Sequence, residues 1–316
     1  MKKVHVLLSV YNGERYLAQQ LDSILAQQGI QVSLLVRDDA SFDRTPQILA
    51  SYAGKYKNIS VYAGTRKGAA GSFFDLLART GITADYYAFA DQDDVWYTDK
   101  LVQAVRRLER ESARQAREEA AVGKHAQPLL YAGKVVCASS DLERQERFAF
   151  QVNRKASFGN ALVENICMGC TEVFNRSLLL LAREHLPQEN VMHDWWMYLT
   201  ASYFGKVIFD QKAYMLYRQH GNNAVGMQNR WGTRWKNRIR HMRKKKRKLS
   251  RQAKVFQRAY AGLPALRRED AGRLERLCGY RGSFGKRICL AADTGIYRQN
   301  RVDDFVCRLI AVLGCL

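Results

Sequence analysis

Residues 4–125 alternate between strand-like and helix-like segments, and this alternation restricts the possible folds more than any other feature of the chain. Short apolar runs at 4–12, 32–39, 59–64 and 85–94 are each followed by a segment with apolar residues at helical spacing. Parallel strands need long crossover connections, which are usually helices. The pattern therefore predicts an α/β fold with a mostly parallel sheet that helices cover on both faces.

Beyond residue 125 the pattern becomes mixed. We expect a strand at 128–137, a helix–strand–helix succession over 160–184, an apolar helix at 193–205 and two strands at 206–210 and 212–221. A boundary near 226 then separates this body from a helical segment at 227–316. A chain of 316 residues is long enough for one large domain with an appendage.

The net charge of +21 is concentrated in the C-terminal segment. Residues 226–316 hold 24 Lys and Arg against six Asp and Glu, whereas the rest of the chain holds 27 against 24. This asymmetry indicates a polyanionic partner, either nucleic acid or an anionic membrane surface. The cations of 236–248 accompany four apolar residues, Trp231, Trp235, Ile239 and Met242. The pattern predicts a basic amphipathic helix, which suits either partner.

The cysteines and the first residues bear on the cellular compartment. The seven cysteines are odd in number and scattered, and residues 1–16 lack the apolar run and cleavage site of a signal peptide. No stretch reaches the roughly 18–20 apolar residues of a spanning helix. We therefore expect reduced thiols in the cytoplasm. Cys167 and Cys170 form a C-x-x-C pair, but no second pair or nearby histidine completes a zinc site, so zinc is disfavoured.

Polar side chains follow three of the predicted strands. Ser9, Tyr11 and Asn12 end the first strand, Asp38 and Asp39 end the second, and Asp91, Gln92, Asp93 and Asp94 follow the apolar run "YYAFA". Any one of these clusters could be a turn or a helix cap, because Asp and Asn favour both. Three clusters at the carboxyl ends of parallel strands, where α/β proteins bind ligands, favour a site. Carboxylate oxygens suit Mg²⁺ or Mn²⁺, which commonly bridge them to substrate phosphates.

Two phosphate-binding classes fit the sequence poorly. The chain lacks a Gly-x-x-x-x-Gly-Lys-Ser/Thr loop, which excludes an ordinary P-loop enzyme, and no Gly-x-Gly-x-x-Gly follows the first strand, which weakens a dinucleotide site. What remains is a nucleoside diphosphate held by strand ends and a metal ion.

Six ordered blocks then carry a family resemblance. They read "SVYNGERYLAQQLDSILAQ", "VRDDASFDRTPQIL", "FADQDDVW", "MGCTEVFNRSLL", "MHDWWMYLTASYFGKV" and "YRQHGNNAVG". From about residue 4 to 226 the chain resembles family 2 glycosyltransferases of the GT-A fold, and among them the bacterial rhamnosyltransferases of cell-wall polysaccharides. The resemblance implies a Rossmann-like GT-A catalytic domain at 1–226 and a basic helical extension at 227–316 that associates with a membrane surface.

The resemblance also implies roles for the matching positions. The nucleotide-sugar donor would contact Ser9, Tyr11, Asp39, Gly68 and Asp91, with Asp39 accepting a hydrogen bond from the base. Asp93 and His220 would hold Mg²⁺ or Mn²⁺, while Asp94 caps the following turn. Asp194 would be the general base, and the acceptor would meet Gly169, Cys170, Trp195 and Trp196, one of the two tryptophans being a core residue. The alternatives are a surface-loop role for His220 and a helix N-cap role for Asp194.

The activity implied by the resemblance is inverting, metal-dependent sugar transfer. The donor would be dTDP-β-L-rhamnose or a UDP-sugar, and the acceptor a polyprenyl-diphosphate-linked glycan at the cytoplasmic face of the membrane. No nucleic acid is expected in this account. The competing class is a nucleic-acid-binding protein with a non-catalytic α/β domain, since the basic segment would serve that partner equally well.

Overall fold

The computed structural model describes residues 1–81, 83–119, 126–147, 151–189, 191–220 and 248–316. The strands in this part of the chain are β1 Lys2–Val10, β2 Ile30–Asp38, β3 Ile59–Ala63, β4 Tyr86–Ala90, β5 Val95–Trp96, β6 Leu129–Ala138, β7 Gln145–Arg147, β8 Val173–Asn175 and β9 Lys206–Arg218. The helices are α1 Leu17–Leu25, α2 Thr45–Lys55, α3 Gly68–Arg79, α4 Lys100–Glu119, α5 Phe158–Ala161, α6 Arg176–Glu184, α7 His193–Phe204, α8 Lys248–Ala259, α9 Arg268–Gly279, α10 Phe284–Ala292 and α11 Arg301–Val312.

All these strands belong to one sheet, in the order β3-β2-β1-β4-β8-β6-β9-β5, with β7 paired to β6. β1 runs parallel to both β2 and β4, β2 runs parallel to β3, and β6 runs parallel to β9. β8 is antiparallel to β4 and β6. The predicted mostly parallel α/β fold is therefore confirmed, and helices follow it at the C-terminal end.

The central strand β1 shows why this sequence folds as a covered sheet. Val4, Val6 and Leu8 pack into an apolar layer with α1 and α4, whereas Leu7 faces the opposite layer with α3 and α7. A strand buried on both faces reads as a continuous apolar run, which is the pattern that made β1 recognisable. Because Val10 pairs with Asp38 and Leu8 with Ala90, the carboxyl ends of β1, β2 and β4 meet at one edge.

The last predicted pair of strands is wrong. The structure has one continuous strand, β9, whose pairing with β6 shifts register around Lys134. The predicted break follows Asp210, whose buried carboxylate accepts a hydrogen bond from Tyr131 and pairs with Arg107 at 3.3 Å. A paired carboxylate is tolerated inside a strand, because its partners offset the loss of solvation.

The helix–strand–helix succession over 160–184 is present in shortened form. α5 has four residues, a 3₁₀ turn follows at Gly169–Thr171, and β8 has three residues before α6 begins. Asn175 caps α6 by accepting a hydrogen bond from the main-chain nitrogen of Leu178. The two cysteines of the C-x-x-C pair precede β8 and are not within a strand.

The C-terminal helices pack into the apolar layer that α7 forms on one face of the sheet. Phe256 and Tyr260 stack against Trp196 of α7, with ring centroids 5.4 and 5.7 Å away. The boundary near 226 and the basic amphipathic helix predicted around 231–247 lie outside the described residues, so the division into two domains stays a prediction. Among the described residues, no helix combines the length and the apolar character needed to cross a bilayer.

We expect Gly159→Ala to lower the free energy of unfolding by about 1–3 kcal/mol, the usual effect of overpacking a close contact. A methyl group on Gly159 in α5 would lie 1.9 Å from the main-chain oxygen of Gly295. Gly54→Ala in α2 is the matched control, because no atom lies within 4 Å of its added methyl. That control should gain up to about 1 kcal/mol of helix propensity. Urea unfolding of both variants measures the difference, and equal midpoints would contradict the close contact.

Candidate active site

The first strand end is tied to the acidic segment by a glutamine. Gln92 accepts a hydrogen bond from the main-chain nitrogen of Tyr11 at 2.6 Å and donates one to the main-chain oxygen of Tyr11 at 2.9 Å. Ser9 donates to the hydroxyl of Ser72 at 2.7 Å, which connects β1 to α3. These bonds fix the predicted contact residues Ser9 and Tyr11 beside the segment that carries Asp91 and Asp93.

Asp39, at the end of β2, has a buried carboxylate with partners on both oxygens. It accepts hydrogen bonds from the guanidinium of Arg37 and from the main-chain nitrogens of Lys67 at 2.7 Å and Gly68 at 2.8 Å. Gly68 has a φ of +71°, a conformation that favours glycine and that aims its N–H at Asp39. The structure thus brings together Asp39 and Gly68, both assigned to the donor from the sequence.

Three residues around Asp39 were not identified from the sequence. Arg37 is fully buried and also donates to Asp75 at 3.0 Å. Arg66 stacks its guanidinium 3.0 Å from the centroid of the Tyr11 ring and lies 3.7 Å from a carboxylate oxygen of Asp39. The one available signal was an arginine inside the apolar run of β2, since a buried charge requires a partner. This edge of the sheet therefore holds the Tyr11 ring, the Arg66 guanidinium and the Asp39 carboxylate side by side.

The acidic segment after β4 holds the predicted metal residues. The Asp93 carboxylate lies 2.7 Å from Nε2 of His220, and the His220 ring stacks on Tyr16 with centroids 5.1 Å apart. Arg218, the last residue of β9, donates to the main-chain oxygen of Asp93 at 2.8 Å. Asp93 and His220 are thus neighbours although 127 positions separate them in the chain. His220 is not an isolated surface-loop histidine.

Asp94 differs from its predicted role as a turn cap. It is fully buried and accepts a hydrogen bond from the main-chain nitrogen of Arg218 at 3.3 Å, so it joins the segment to β9. Its other oxygen, Oδ2, has no hydrogen-bond partner among the described residues. Ligand atoms of Asp91, Asp94 and Cys170 lie within 4.8 Å of one another. This second group can also contribute to holding a divalent cation, although a thiol suits Mg²⁺ and Mn²⁺ less than oxygen does.

The carboxyls of this segment oppose one another's ionisation. Burial, together with the charges of Asp93 and Asp194, raises the pKa of Asp91 to about 7. Burial together with Asp93 and Asp91 also raises the pKa of Asp94. A bound cation would favour the ionised forms, so this arrangement, with the unpartnered Oδ2 of Asp94, fits a metal site.

Lys100 places a buried amine close to Asp94 and Cys170. Burial lowers the pKa of Lys100 to about 7, while those two neighbours act in the opposite direction. Its Nζ lies 3.4 Å from the centroid of the Trp96 ring and has no hydrogen-bond partner among the described residues. A lysine in the first turn of an apolar-striped helix is typical of a surface residue, so nothing local in the sequence indicates its burial.

Asp194 lies in the first turn of α7, one residue beyond the helix start. Met192, not Asp194, occupies the N-cap position, so the N-cap alternative is wrong. The carboxylate accepts a hydrogen bond from the main-chain nitrogen of Trp195 at 2.6 Å. Burial raises the pKa of Asp194 to about 6, and hydrogen bonds from Trp195, Asn165 and Gly169 limit the rise. A half-buried carboxyl that titrates near neutrality can accept a proton at physiological pH.

The residues around Asp194 include the predicted acceptor side. A methyl group on Gly169 would lie 2.6 Å from Nε2 of His193, so only glycine fits this 3₁₀ turn. Trp195 is half-buried and donates to the main-chain oxygen of Ala161 at 2.6 Å. Trp196 of α7 is fully buried against Phe256 of α8 and is the tryptophan that belongs to the core. It therefore cannot form part of an exposed platform.

Glu172 is a further acidic residue that the sequence did not indicate. It is fully buried, and neither carboxylate oxygen has a hydrogen-bond partner among the described residues. Burial and the charge of Asp194 raise the pKa of Glu172 well above its usual value. Cys167 is buried nearby and does not share the group formed by Asp91, Asp94 and Cys170. In the part of the chain that the structure describes, the C-x-x-C pair thus forms no zinc site.

Known proteins resemble both the sequence and the fold. Residues 5–120 match the family model for glycosyl transferase family 2. The dTDP-rhamnosyl transferase RfbG of Shigella flexneri is 28% identical over 237 residues, which cover 69% of this chain and 73% of RfbG. TarS 1-349 of S. aureus in complex with UDP has a similar fold, with a TM-score of 0.52 at 17% identity over 87% of this chain and 69% of TarS.

A second solved structure is the mannosyltransferase PcManGT from Pyrobaculum calidifontis in complex with GDP-Man and Mn²⁺. It matches with a TM-score of 0.50 at 18% identity, over 98% of this chain and 85% of PcManGT. The family match begins in β1 and includes the strand ends at Ser9, Asp39 and Asp91. Family model, relatives and fold agree: residues 5–120 match family 2 of the glycosyltransferases, and the chain has the GT-A fold of such enzymes.

Proposed function

We propose that this glycosyltransferase moves L-rhamnose from dTDP-β-L-rhamnose to a hydroxyl group of a lipid-linked polysaccharide precursor, with inversion at the sugar C1. The observation that carries the proposal is the placement of Asp194 close enough to Asp91 for its charge to raise the Asp91 pKa, at the edge where three polar strand ends meet. The similarity to RfbG supports rhamnose as the sugar. A UDP-hexose is the alternative donor.

The donor would bind along the ends of β1 and β2. Tyr11 and Arg66 offer stacking surfaces for a base, and Asp39 offers a carboxylate that can accept its N–H. Because Asp39 is covered by the main chain of Lys67 and Gly68, the start of α3 would have to shift for a direct contact. Ser9 lies one position before the end of β1, at the same edge of the sheet.

The metal would be held by Asp93 and His220, with Asp91 on the side of the donor. Mg²⁺ or Mn²⁺ prefers oxygen ligands such as these carboxylates, and the Mn²⁺ in the PcManGT complex supports this assignment. When bound, such an ion offsets the negative charge that develops on the leaving diphosphate. Arg218 supplies positive charge beside the same segment, through the guanidinium that donates to the main-chain oxygen of Asp93.

Asp194 would act as the general base. It accepts the proton of the acceptor hydroxyl while that oxygen forms a bond to the sugar C1, and the C1–O bond to the diphosphate breaks with its electron pair leaving on the diphosphate. The hydrogen bond from the main-chain nitrogen of Trp195 orients the carboxylate. Trp195, Gly169 and Cys170 would line the acceptor side.

The rate should depend on pH through Asp194. The base works only when ionised, and its pKa is raised to about 6. We therefore expect kcat to be constant well above pH 6 and to fall about tenfold per pH unit below it. Initial rates measured at saturating donor and metal, from about pH 5 to about pH 8, give the slope of the acidic limb of the pH profile. A profile that stays flat through pH 6 would contradict the assignment of the base.

A panel of nucleotide sugars tests the donor most simply. A ligand that binds only the folded state stabilises it, by about 2.7 kcal/mol at a hundred times its Kd, and therefore raises the melting midpoint. With Mn²⁺ present, we expect dTDP-β-L-rhamnose to raise Tm more than UDP-glucose or UDP-galactose does. A larger shift with a UDP-sugar would replace rhamnose by that sugar. No shift with any nucleotide sugar would overturn the proposed function.

The proposed acceptor places the enzyme at the cytoplasmic face of the membrane. A polyprenyl-diphosphate glycan keeps its lipid in the bilayer, so the enzyme would meet its acceptor at the membrane surface. The positive charge of the chain favours an anionic leaflet. We expect the protein to have no nucleic-acid partner. Binding of a nucleic-acid duplex by the Asp93→Ala variant, after that variant has lost donor binding, would contradict this expectation.

A further inference from the structure

Helices α10 and α11 leave an unusual number of large apolar side chains exposed. Six of the eleven such side chains among the described residues lie on them or directly after them. The most exposed of the six, here named the α10–α11 patch, are Phe284 at 66%, Ile288 at 44%, Phe305 at 65%, Leu309 at 50% and Leu313 at 62%. Scattered exposed apolar residues are normal, but a concentration of them marks an interaction surface.

The two helices form one unit. Arg308 of α11 donates to the main-chain oxygen of Ala291 at the end of α10, and to that of Ile296 at 2.9 Å. At the other end, Gly314 lies against the guanidinium of Arg287, so the helices run in opposite directions. Each helix buries its own inner residues, Leu290 on one and Val306 and Ile310 on the other. The patch is therefore additional to the residues that hold the helices in place.

The spacing of the patch follows the helical repeat. Phe284 and Ile288 are four residues apart, and so are Phe305, Leu309 and Leu313. Residues at this spacing share one face of a helix. Each helix thus has one face buried in the protein and an apolar stripe outside it. With 9 and 12 residues, the helices are about 14 and 18 Å long, much shorter than the roughly 30 Å of a bilayer core.

The charges around the patch narrow the choice of partner. The cations Arg281, Lys286 and Arg301 are exposed on the same two helices and the turn before them. Residues 248–316 hold 14 Lys and Arg against six Asp and Glu, and one acidic residue of α11, Asp304, pairs with Arg154 and Arg308. A second copy of the chain would bring this positive charge against itself. An anionic lipid surface offers both an apolar layer and opposite charge.

We propose that the α10–α11 patch inserts into the headgroup region of an anionic lipid bilayer and docks the enzyme flat on the membrane. The inference deepens the proposed function, since a lipid-linked acceptor gives this docking its purpose. The apolar side chains enter the boundary between headgroups and acyl chains, while Arg281, Lys286 and Arg301 meet the lipid phosphates. The predicted basic helix around 231–247 is not required for this contact.

Flotation of the full-length protein with vesicles tests the docking. One set of vesicles contains phosphatidylcholine alone, and the other also contains phosphatidylglycerol. We expect binding to the anionic vesicles, and the double variant Phe305→Ser/Leu309→Ser should weaken it about a hundredfold, about tenfold for each apolar side chain withdrawn from the bilayer. Leu263→Ser is the matched control, because Leu263 is exposed to 38% but lies outside the patch. It should bind as the wild type does.

A deletion of 230–316 would be a poor substitute for these point variants. It would remove Phe256 and Tyr260, which pack against Trp196 in the core, and so unfold part of the protein. Thermal melting of the double variant, which should match the wild type because both side chains are exposed, verifies its fold.

Three outcomes would overturn the docking proposal. One is equal vesicle binding by the double variant and the wild type, which would assign binding to another basic part of the chain. Another is equal binding to both kinds of vesicle. The third is a wild-type dimer in sedimentation equilibrium that the double variant loses, with no vesicle binding by either. Hydrolysis of the donor in the absence of membranes tests the activity separately from the docking. The wild type and the double variant should hydrolyse the donor at equal rates. If neither hydrolysed it, the result would count against the proposed function and not against the docking.

Discussion

Asp194→Asn is expected to lower kcat for sugar transfer by about 10³-fold, within the 10²–10⁴ that a general base contributes, and to leave the Kd of the donor unchanged. Asparagine has nearly the same shape, and its oxygen can still accept the hydrogen bond that the main-chain nitrogen of Trp195 donates at 2.6 Å. What it lacks is the ability to take the acceptor's proton. The effect should therefore fall on kcat and not on folding or donor affinity.

Glu172→Gln is the matched control for that variant. Glu172 is a second carboxyl near Asp194, but it is fully buried, and burial with the charge of Asp194 raises its pKa well above the usual value. Glutamine resembles the protonated acid, so we expect a rate within a few-fold of the wild type. Single-turnover rates and melting midpoints of both variants measure the losses of activity and of stability. Full activity in Asp194→Asn, or an equal loss in Glu172→Gln, would show that Asp194 is not the base.

Asp93→Ala should abolish the Mn²⁺-dependent part of donor binding, with an affinity loss of at least about a hundredfold. Loss of a residue that only supports a metal ligand costs 10–100-fold, and removal of a direct ligand should exceed that range. The substitution also removes the partner of His220 at 2.7 Å, which holds that ring in place. Titration calorimetry of dTDP-β-L-rhamnose with and without Mn²⁺ measures the loss.

Asp99→Ala is the control for this charge change. Asp99 lies six positions further along the chain, and the hydrogen bond that its carboxylate accepts comes from the side chain of Gln103 on α4 at 3.1 Å. It should bind donor as the wild type does. If Asp93→Ala retained Mn²⁺-dependent binding while Asp94→Ala lost it, the ion would belong to the group of Asp91, Asp94 and Cys170 instead. The two sets of ligands are thus distinguishable in one series.

Much of the fold could be predicted because its signals are local. The central strands of a parallel sheet are buried on both faces, so β1 and β4 read as apolar runs with polar residues directly after them. Since parallel strands end at one edge, the sequence also placed Ser9, Asp39 and Asp91 together. Asp194 was chosen from its motif, and its raised pKa is what burial at that position produces.

The features that sequence analysis missed depend on contacts between distant residues. Arg37 and Asp75 are 38 positions apart, and nothing local indicates that they pair. Lys100 occupies a first helical turn, where lysines are usually exposed, and only the packing of Trp96 against it shows its burial. β9 was divided in two because Asp210 looks like a turn residue until its partner Arg107 on α4 is known.

The most direct test of the central claim is the release of dTDP from dTDP-β-L-rhamnose in the presence of a lipid-linked glycan acceptor. Release should require the protein and Mn²⁺ together, stop when the ion is chelated, and be reduced about 10³-fold in Asp194→Asn. Absence of nucleoside diphosphate release by the wild type with this donor and with UDP-sugars, under conditions where the protein is folded and Mn²⁺ is present, would contradict the central claim.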